Sequence, residues 1–302
     1  LTRTEFDTSS SVLYYLGEKI ILKKNKMFLT DTSIEFIEKG HKYILKKYPD
    51  VVPLSTTRMI KSFCEPFDRE KISYFVARAN LRKELKQRRE VTEQEILKEK
   101  KKVLKLWDSK ADISQKHGNY IHDIMDSGFR GMPVPYHMSE IFNELWIYFS
   151  KYVQISSEAN ICLYEHFITG RIDYFCYRQK NSNVVDLKDI KTNLFNKIRF
   201  DSTLIKEGRI KHYDRYMLEP LDYLEDCDYN KMVLQLSTYA YILERQYGLR
   251  IGSLEIIHID TDSDILIETD KMPNFVINRY PVAYMRDAVI KMIEATTGSG
   301  YF

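Results

Sequence analysis

The chain has 302 residues, of which 44% are hydrophobic, enough to bury one large core or a core with an appendage. Its 46 basic and 43 acidic residues leave a net charge of only +3, which excludes a uniformly basic nucleic-acid coat and leaves any basic groove to local arrangement. No apolar run approaches the ~18 residues of a membrane span and no signal-peptide core is present, so a soluble, cytoplasmic protein without a membrane partner is expected.

The predicted elements begin with a β-hairpin over 33–46, turning at Glu38-Lys39-Gly40-His41. A helix follows from Leu54-Ser55-Thr56-Thr57, where a Ser/Thr cap precedes Met59 and Ile60. From Pro66 to about Trp107 the chain is dense in Lys, Arg and Glu and reads as a charged helical arm. A solvated face is the plain reading of that arm, and a DNA-contacting surface the alternative. Helices are expected over Ile113–Ser127 and Ser139–Tyr152, with a Gly/Pro loop between them from Gly128 to Pro135.

Three strands come next, Ile161–Ile168, Gly170–Arg178 and Val184–Lys191, the last two joined by the turn 179–183. Residues 193–228 form a long polar insertion of a kind that is often functional. A helix with Val233, Leu236, Ala240 and Leu243 on one stripe covers Tyr229–Tyr247, before a strand at Ser253–Asp260 and a closing helix at Val282–Ala295. This order predicts an α/β fold, a mixed sheet flanked by helices. The expected division is 1–110, hairpin and arm, and 111–302, the core with its insertion.

The chemistry concentrates on the second and third strands. Residues two apart on a strand share a face, so Asp189 and Lys191 point into one cleft that Asp173 of the neighbouring strand can join. Oxygen ligands suit a hard divalent cation, and an ammonium beside them can orient a water or offset an oxyanion. The Ile190 carbonyl is a further candidate ligand. Asp186 and Lys188 form a competing pair, three residues earlier and on the opposite face. The later pair is preferred for its continuous cleft face, Val185, Leu187, Asp189, Lys191, and the earlier one is kept as the alternate.

Gly118, His122 and Asp126 fall on one helical face, where His122 reads as an ordinary helix histidine or as a metal ligand. Gln235 and Tyr239 lie one turn apart, either a half-buried polar pair or a water-positioning pair. Cys64, Cys162, Cys176 and Cys227 include no C-x-x-C, which argues against zinc and fits a reducing compartment.

Taken in order, Gly118-x-x-x-His122, Gly170-Arg171-Ile172-Asp173, Asp189-Ile190-Lys191-Thr192 and Gln235-x-x-x-Tyr239 resemble the PD-(D/E)XK nuclease superfamily, nearest its RecB-type and phage-exonuclease branch. The likeness spans ~110–260. Gly40-His41-Lys42-Tyr43 and Pro220-Leu221 with Glu225-Asp226-Cys227 are also similar to phage-encoded members.

The resemblance implies a restriction-endonuclease-like core and Mg²⁺ or Mn²⁺ bound by His122, Asp173, Asp189 and the Ile190 carbonyl. Lys191 would be the catalytic lysine, Gln235 and Tyr239 the helix motif, and Glu165 the acid preceding the Gly-x-x-Asp strand. Asp126 stands where the family has Glu, and the three clustered C-terminal cysteines of iron–sulfur relatives are missing, so no such cluster is expected. The expected activity is metal-dependent DNA hydrolysis, of exonuclease type, on linear ends, flaps or single strands. The expected setting is the host cytoplasm, as a homo-oligomer or with a recombination or replication partner. A structure-specific endonuclease and an inactive DNA-binding or assembly module are the alternatives.

Overall fold

The computed structural model describes residues 10–15, 18–23, 30–38, 40, 42–84, 90–180, 182–193, 198–201, 203–206, 209–212, 215–261 and 272–298. In chain order the elements are β1 (Ser10–Tyr15), β2 (Glu18–Lys23), β3 (Ile34–Ile37), β4 (Lys42–Leu45), β5 (Leu54–Ser55), α1 (Thr56–Ser62), α2 (Arg69–Glu84) and α3 (Glu93–Phe129). They continue as α4 (Ser139–Phe149), β6 (Gln154–Leu163), β7 (Ile168–Tyr177), β8 (Val184–Asn193), β9 (Thr203–Lys206), β10 (Arg209–His212), α5 (Asp228–Tyr247), β11 (Arg250–Thr261), β12 (Phe275–Val282) and α6 (Arg286–Gly298). No helix among the described residues is long and apolar enough to cross a membrane.

The fold is α/β, built on a mixed six-stranded sheet in the order β12-β11-β8-β7-β5, with β6 also paired to β7. β8 is central, parallel to β11 and antiparallel to β7. One face packs on α1, α5 and α6, burying Val185 and Leu187 of β8 against Leu236, Ala240 and Leu243 of α5. The other packs on α3 and α4, burying Ile190 against Ile121, Met125 and Leu145. Burial on both faces explains why β8 reads as apolar at 184–187 before its charged end.

That charged end lies at a fork. The β7–β8 ladder runs from Tyr177↔Val185 to Tyr174↔Lys188 and stops. Further back, β7 pairs instead with β5, at Ile168 and Thr169. The four residues between, Gly170 to Asp173, have no strand partner on that side among the described residues. The same point is irregular in β6, where Glu158 takes a positive φ of 51° and drops out of the ladder opposite Asp173. A backbone kink of this kind switches the face to which successive side chains point. Ile155 and Tyr174 pack toward α3 and α4, whereas Ala159 and Ile172, at the same alternation, pack toward α5.

Several elements differ from expectation. The helix predicted at Ile113–Ser127 is the end of a 37-residue helix, α3, whose capping box is Thr92 with Glu95. Nothing in 93–112 breaks a helix, so α3 carries the charged arm into the core, and the expected boundary at 110 falls inside it. The arm has a small core of its own, Ala77 on α2 against Ile96 and Val103 on α3. The predicted strand Ile161–Ile168 is instead the end of β6 followed by a tight turn at 164–167, in which Phe167 takes φ 49°. β12 occupies residues for which no element was expected, and α6 begins at Arg286, after the predicted start at Val282. His41, residues 85–89 of the arm and parts of the insertion 193–228 lie outside the described residues.

Candidate functional site

Asp173 and Asp189 are the first residues beyond the last rung of the β7–β8 ladder, one on each side of the fork. Asp173 Oδ2 accepts the Ile190 N–H at 2.8 Å, supplying through its side chain the bond that a β7 carbonyl would otherwise make. A strand residue directs its N–H and C=O to the same edge, so the Ile190 carbonyl also faces the fork.

α3 lies across this opening with the Gly118, His122, Asp126 stripe. Gly118 sits over β8, where an added Cβ would be 3.6 Å from Thr192 Oγ1, an ordinary contact. The helix–sheet contact at Gly118 therefore leaves room for a methyl group. Asp126 pairs with Arg130, Nε to Oδ2 3.0 Å, and accepts a hydrogen bond from Ser157 of β6. The Ser157 bond ties helix to sheet.

Between them His122 Nδ1 lies 3.4 Å from Glu158 Oε1. His122, Glu158 and Asp173 each offer a ligand atom, and the three atoms lie within 4.8 Å of one another. Two ligands of one octahedral ion with bonds of about 2.1 Å sit about 3 Å apart when adjacent and about 4.2 Å when opposite. The three groups are close enough for side-chain adjustment alone to bring them to one ion.

Electrostatics separates the two Asp-x-Lys pairs. Asp189 is 1% exposed. Burial and the neighbouring Asp173 carboxylate raise its pKa, although Lys191 Nζ stands 3.0 Å from Oδ2. Its Oδ1 accepts no hydrogen bond among the described residues. Burial opposes the charge on Lys191, but Asp189 and Asp173 outweigh this and keep the ammonium protonated. His122 is likewise pulled down by burial and pushed up further by Asp173 and Glu158, reaching about 9. A buried carboxyl that holds its proton beside a second carboxylate is a place where an added positive charge would be stabilised.

Asp186 has the opposite environment, on the α4 face. Burial would raise its pKa, but Arg178 Nε at 2.8 Å and the Tyr152 hydroxyl at 3.0 Å bring it below the usual carboxylate range. Lys188 pairs with Glu255 at 2.9 Å. Neither residue of the alternate pair reaches the fork. Nor does Glu165, which sits in the β6–β7 turn, 3.6 Å from Arg245 and 3.8 Å from His166.

Gln235 and Tyr239 of α5 close the site from the other face. Gln235 Nε2 donates to the Tyr239 hydroxyl at 2.8 Å, and the buried Tyr239 ring lies on Gly170. Tyr239 is within electrostatic reach of Asp189 and Asp173, which with burial raise its pKa well above normal.

Three participants were not singled out from sequence. Glu158, rather than Glu165, is the acid beside the Gly-x-x-Asp strand. Arg171 holds Glu158 Oε2 at 2.6 Å and Glu38 Oε1 at 2.6 Å, tying the β3–β4 hairpin to the site. Tyr43 of that hairpin has its pKa raised, mainly by burial, and lies near Arg171, Glu158 and Asp173. The available signal was the hairpin itself: a turn centred on Glu165 and His166 places residue 158 opposite residue 173. No protein-family model and no curated protein matches the chain.

Proposed function

We propose that the protein is a divalent-metal-dependent deoxyribonuclease of the PD-(D/E)XK type, with a restriction-endonuclease-like core. The observation that carries this reading is the fork: Asp173 and Asp189 leave the ladder together, and His122, Glu158 and Lys191 come from three further positions to meet them.

The donor set fits the ion. Carboxylates and a backbone carbonyl suit Mg²⁺ and Mn²⁺, and one imidazole favours Mn²⁺ of the two. His122, Glu158 and Asp173 would hold it, with Asp189 and the Ile190 carbonyl beside them. A bound ion of this kind polarises a phosphoryl oxygen and lowers the pKa of a nearby water.

The chain's own residues account for the rest. Lys191, charged and anchored on Asp189, is placed to orient the attacking water or to offset charge developing on the phosphate. In the reaction a water oxygen bonds to phosphorus and gives up a proton to a basic group or to solvent, while the phosphorus–ester oxygen bond breaks and the leaving oxygen takes up a proton from solvent. Gln235 spends one N–H on Tyr239 and keeps its second N–H and its carbonyl for a phosphate or water. Arg171 neutralises Glu158 from the outside and keeps its carboxylate aimed inward. A scaffold retired from catalysis has no reason to keep a buried, raised-pKa carboxylate beside a lysine, which favours an enzyme over an assembly module.

The Lys/Arg-rich arm and the 193–228 insertion would form the walls that select DNA ends, and an exonuclease in recombination, repair or genome processing is the preferred role. Incubating linear, circular and single-stranded DNA with Mg²⁺, Mn²⁺ or EDTA tests this. Metal-dependent loss of linear but not circular DNA is the expected result, cutting of closed circles would reassign the protein as an endonuclease, and no cleavage of any substrate would refute the enzyme.

A further inference from the structure

Asp186 and Lys188, which the proposed chemistry leaves unused, line a cleft of about 440 Å³ on the α4 face, together with Tyr148, Lys151, Tyr152 and Glu255. Its two carboxylates are committed. Asp186 is shared by Arg178 and Tyr152, and Glu255 by Lys188 and the Tyr148 hydroxyl. Two further cations remain. Lys151 Nζ lies 3.9 Å and the Arg279 guanidinium 4.8 Å from the centre of the Tyr148 ring, with Lys188 Nζ at 5.9 Å. Neither Lys151 nor Arg279 has a carboxylate at ion-pair distance among the described residues.

Three cations around one tyrosine ring repel one another, and a ring's quadrupole offsets only part of that cost. Lys151 registers the crowding: burial and then Lys188 lower its pKa. Arg178, Lys188 and Lys151 in the lining, with Arg279 beside it on the Tyr148 ring, outnumber the two carboxylates and leave an excess of positive charge. An anion between Lys151 and Arg279 would relieve it, and the volume is that of a small-ligand site.

We propose that this cleft binds a phosphoryl group, carried by a mononucleotide or by a nucleic-acid 5′ end, with Lys151 and Arg279 as its ligands and the Tyr148 and Tyr152 rings beside the attached nucleoside. The site is on the opposite face of β8 from the fork, and the proposal stands without the nuclease reading.

The full-length protein in EDTA is titrated calorimetrically with inorganic phosphate and with dAMP at low ionic strength. Lys151→Ala, Arg279→Ala and, as a charge control on another surface, Lys291→Ala are run in parallel. The first two side chains are exposed, and melting curves confirm that the variants fold. Saturable binding is expected, weakened about tenfold or more by either cleft variant and unchanged by Lys291→Ala. Displacement of dAMP by a 5′-phosphorylated oligonucleotide, and not by its 5′-hydroxyl twin, assigns the source to nucleic acid. Failure of both oligonucleotides assigns it to free nucleotide. Absence of saturable binding of either probe, or equal losses in all three variants, would overturn the proposal.

Discussion

Gly170 lies against the ring of Tyr239: a Cβ built at Gly170 would fall 2.3 Å from Tyr239 Cε1, so the buried ring would have to shift to accept it. Tyr239 in turn receives the hydrogen bond from Gln235. The Gly-x-x-Asp strand and the Gln-x-x-x-Tyr helix are therefore two halves of one contact. The glycine is required by packing, because its φ is ordinary, and the contact sets how α5 leans over the fork.

Gly170→Ala should destabilise the protein by about 2 kcal/mol through overpacking and displace Gln235. The cost should shrink in the Tyr239→Leu background, which removes the clash, so the double-mutant cycle is non-additive. Urea melts of the four proteins measure this, and strict additivity would mean the two residues do not meet.

The two Asp-x-Lys pairs should respond oppositely to neutralisation. Asp186→Asn removes the ion pair with Arg178 and weakens the Tyr152 hydrogen bond, a loss of about 1–3 kcal/mol. Asp189→Asn removes a carboxylate whose charge is disfavoured by burial and by Asp173, so the metal-free protein should be as stable as wild type or more so at pH 8. Thermal melts in EDTA separate the two, and matched losses would contradict the assigned environments.

Stability of the metal-free protein should fall with rising pH because of this site. His122 has a folded pKa of about 9 against an ordinary 6.5, so its contribution is fully present below the lower value and is lost as pH rises through the higher one. Asp189, also raised, has the same sign: the folded state holds the proton more tightly, and that stabilisation is lost as pH climbs through its raised value. The groups facing His122 are Glu158 on β6, Asp173 on β7 and Lys191 on β8. The His122 effect is about 3 kcal/mol. On the proposed reading Mn²⁺ would take the place of the lost protons, so the difference in Tm with and without Mn²⁺ should widen from pH 6 to 9, and His122→Gln should flatten it.

Glu158→Gln and Asp173→Asn should each weaken Mn²⁺ binding by about tenfold or more, followed by electron paramagnetic resonance of the free ion, whereas Glu165→Gln should leave it unchanged. Equal affinity in all three would remove the cluster from consideration as an ion site.

Alternation alone brought Asp189 and Lys191 to one face and their rivals to the other, and helical spacing grouped Gly118 with His122. What alternation cannot say is where a ladder ends. Asp186 and Asp189 are equivalent as sequence; they differ because β7 releases β8 after Tyr174↔Lys188, a tertiary event governed by β5 and by Asp173 itself. Glu158 escaped notice for a related reason. The β6–β7 turn carries no Gly, Pro or Asn, placing Phe167 at positive φ instead, so the strand was expected to run through it. Once the turn is misplaced, the residue opposite Asp173 is misplaced too. The long helix α3 was split because its charged half lacks an apolar stripe facing the main core, while packing against α2 supplies what the pattern did not show.

The most direct test of the nuclease at the fork is cleavage of linear duplex DNA by wild type, Asp189→Ala and Asp186→Ala, each with Mn²⁺, Mg²⁺ or EDTA and each normalised to folded protein. The account predicts metal-dependent cleavage by wild type and Asp186→Ala and none by Asp189→Ala. Activity surviving in Asp189→Ala, or lost in Asp186→Ala alone, would contradict it.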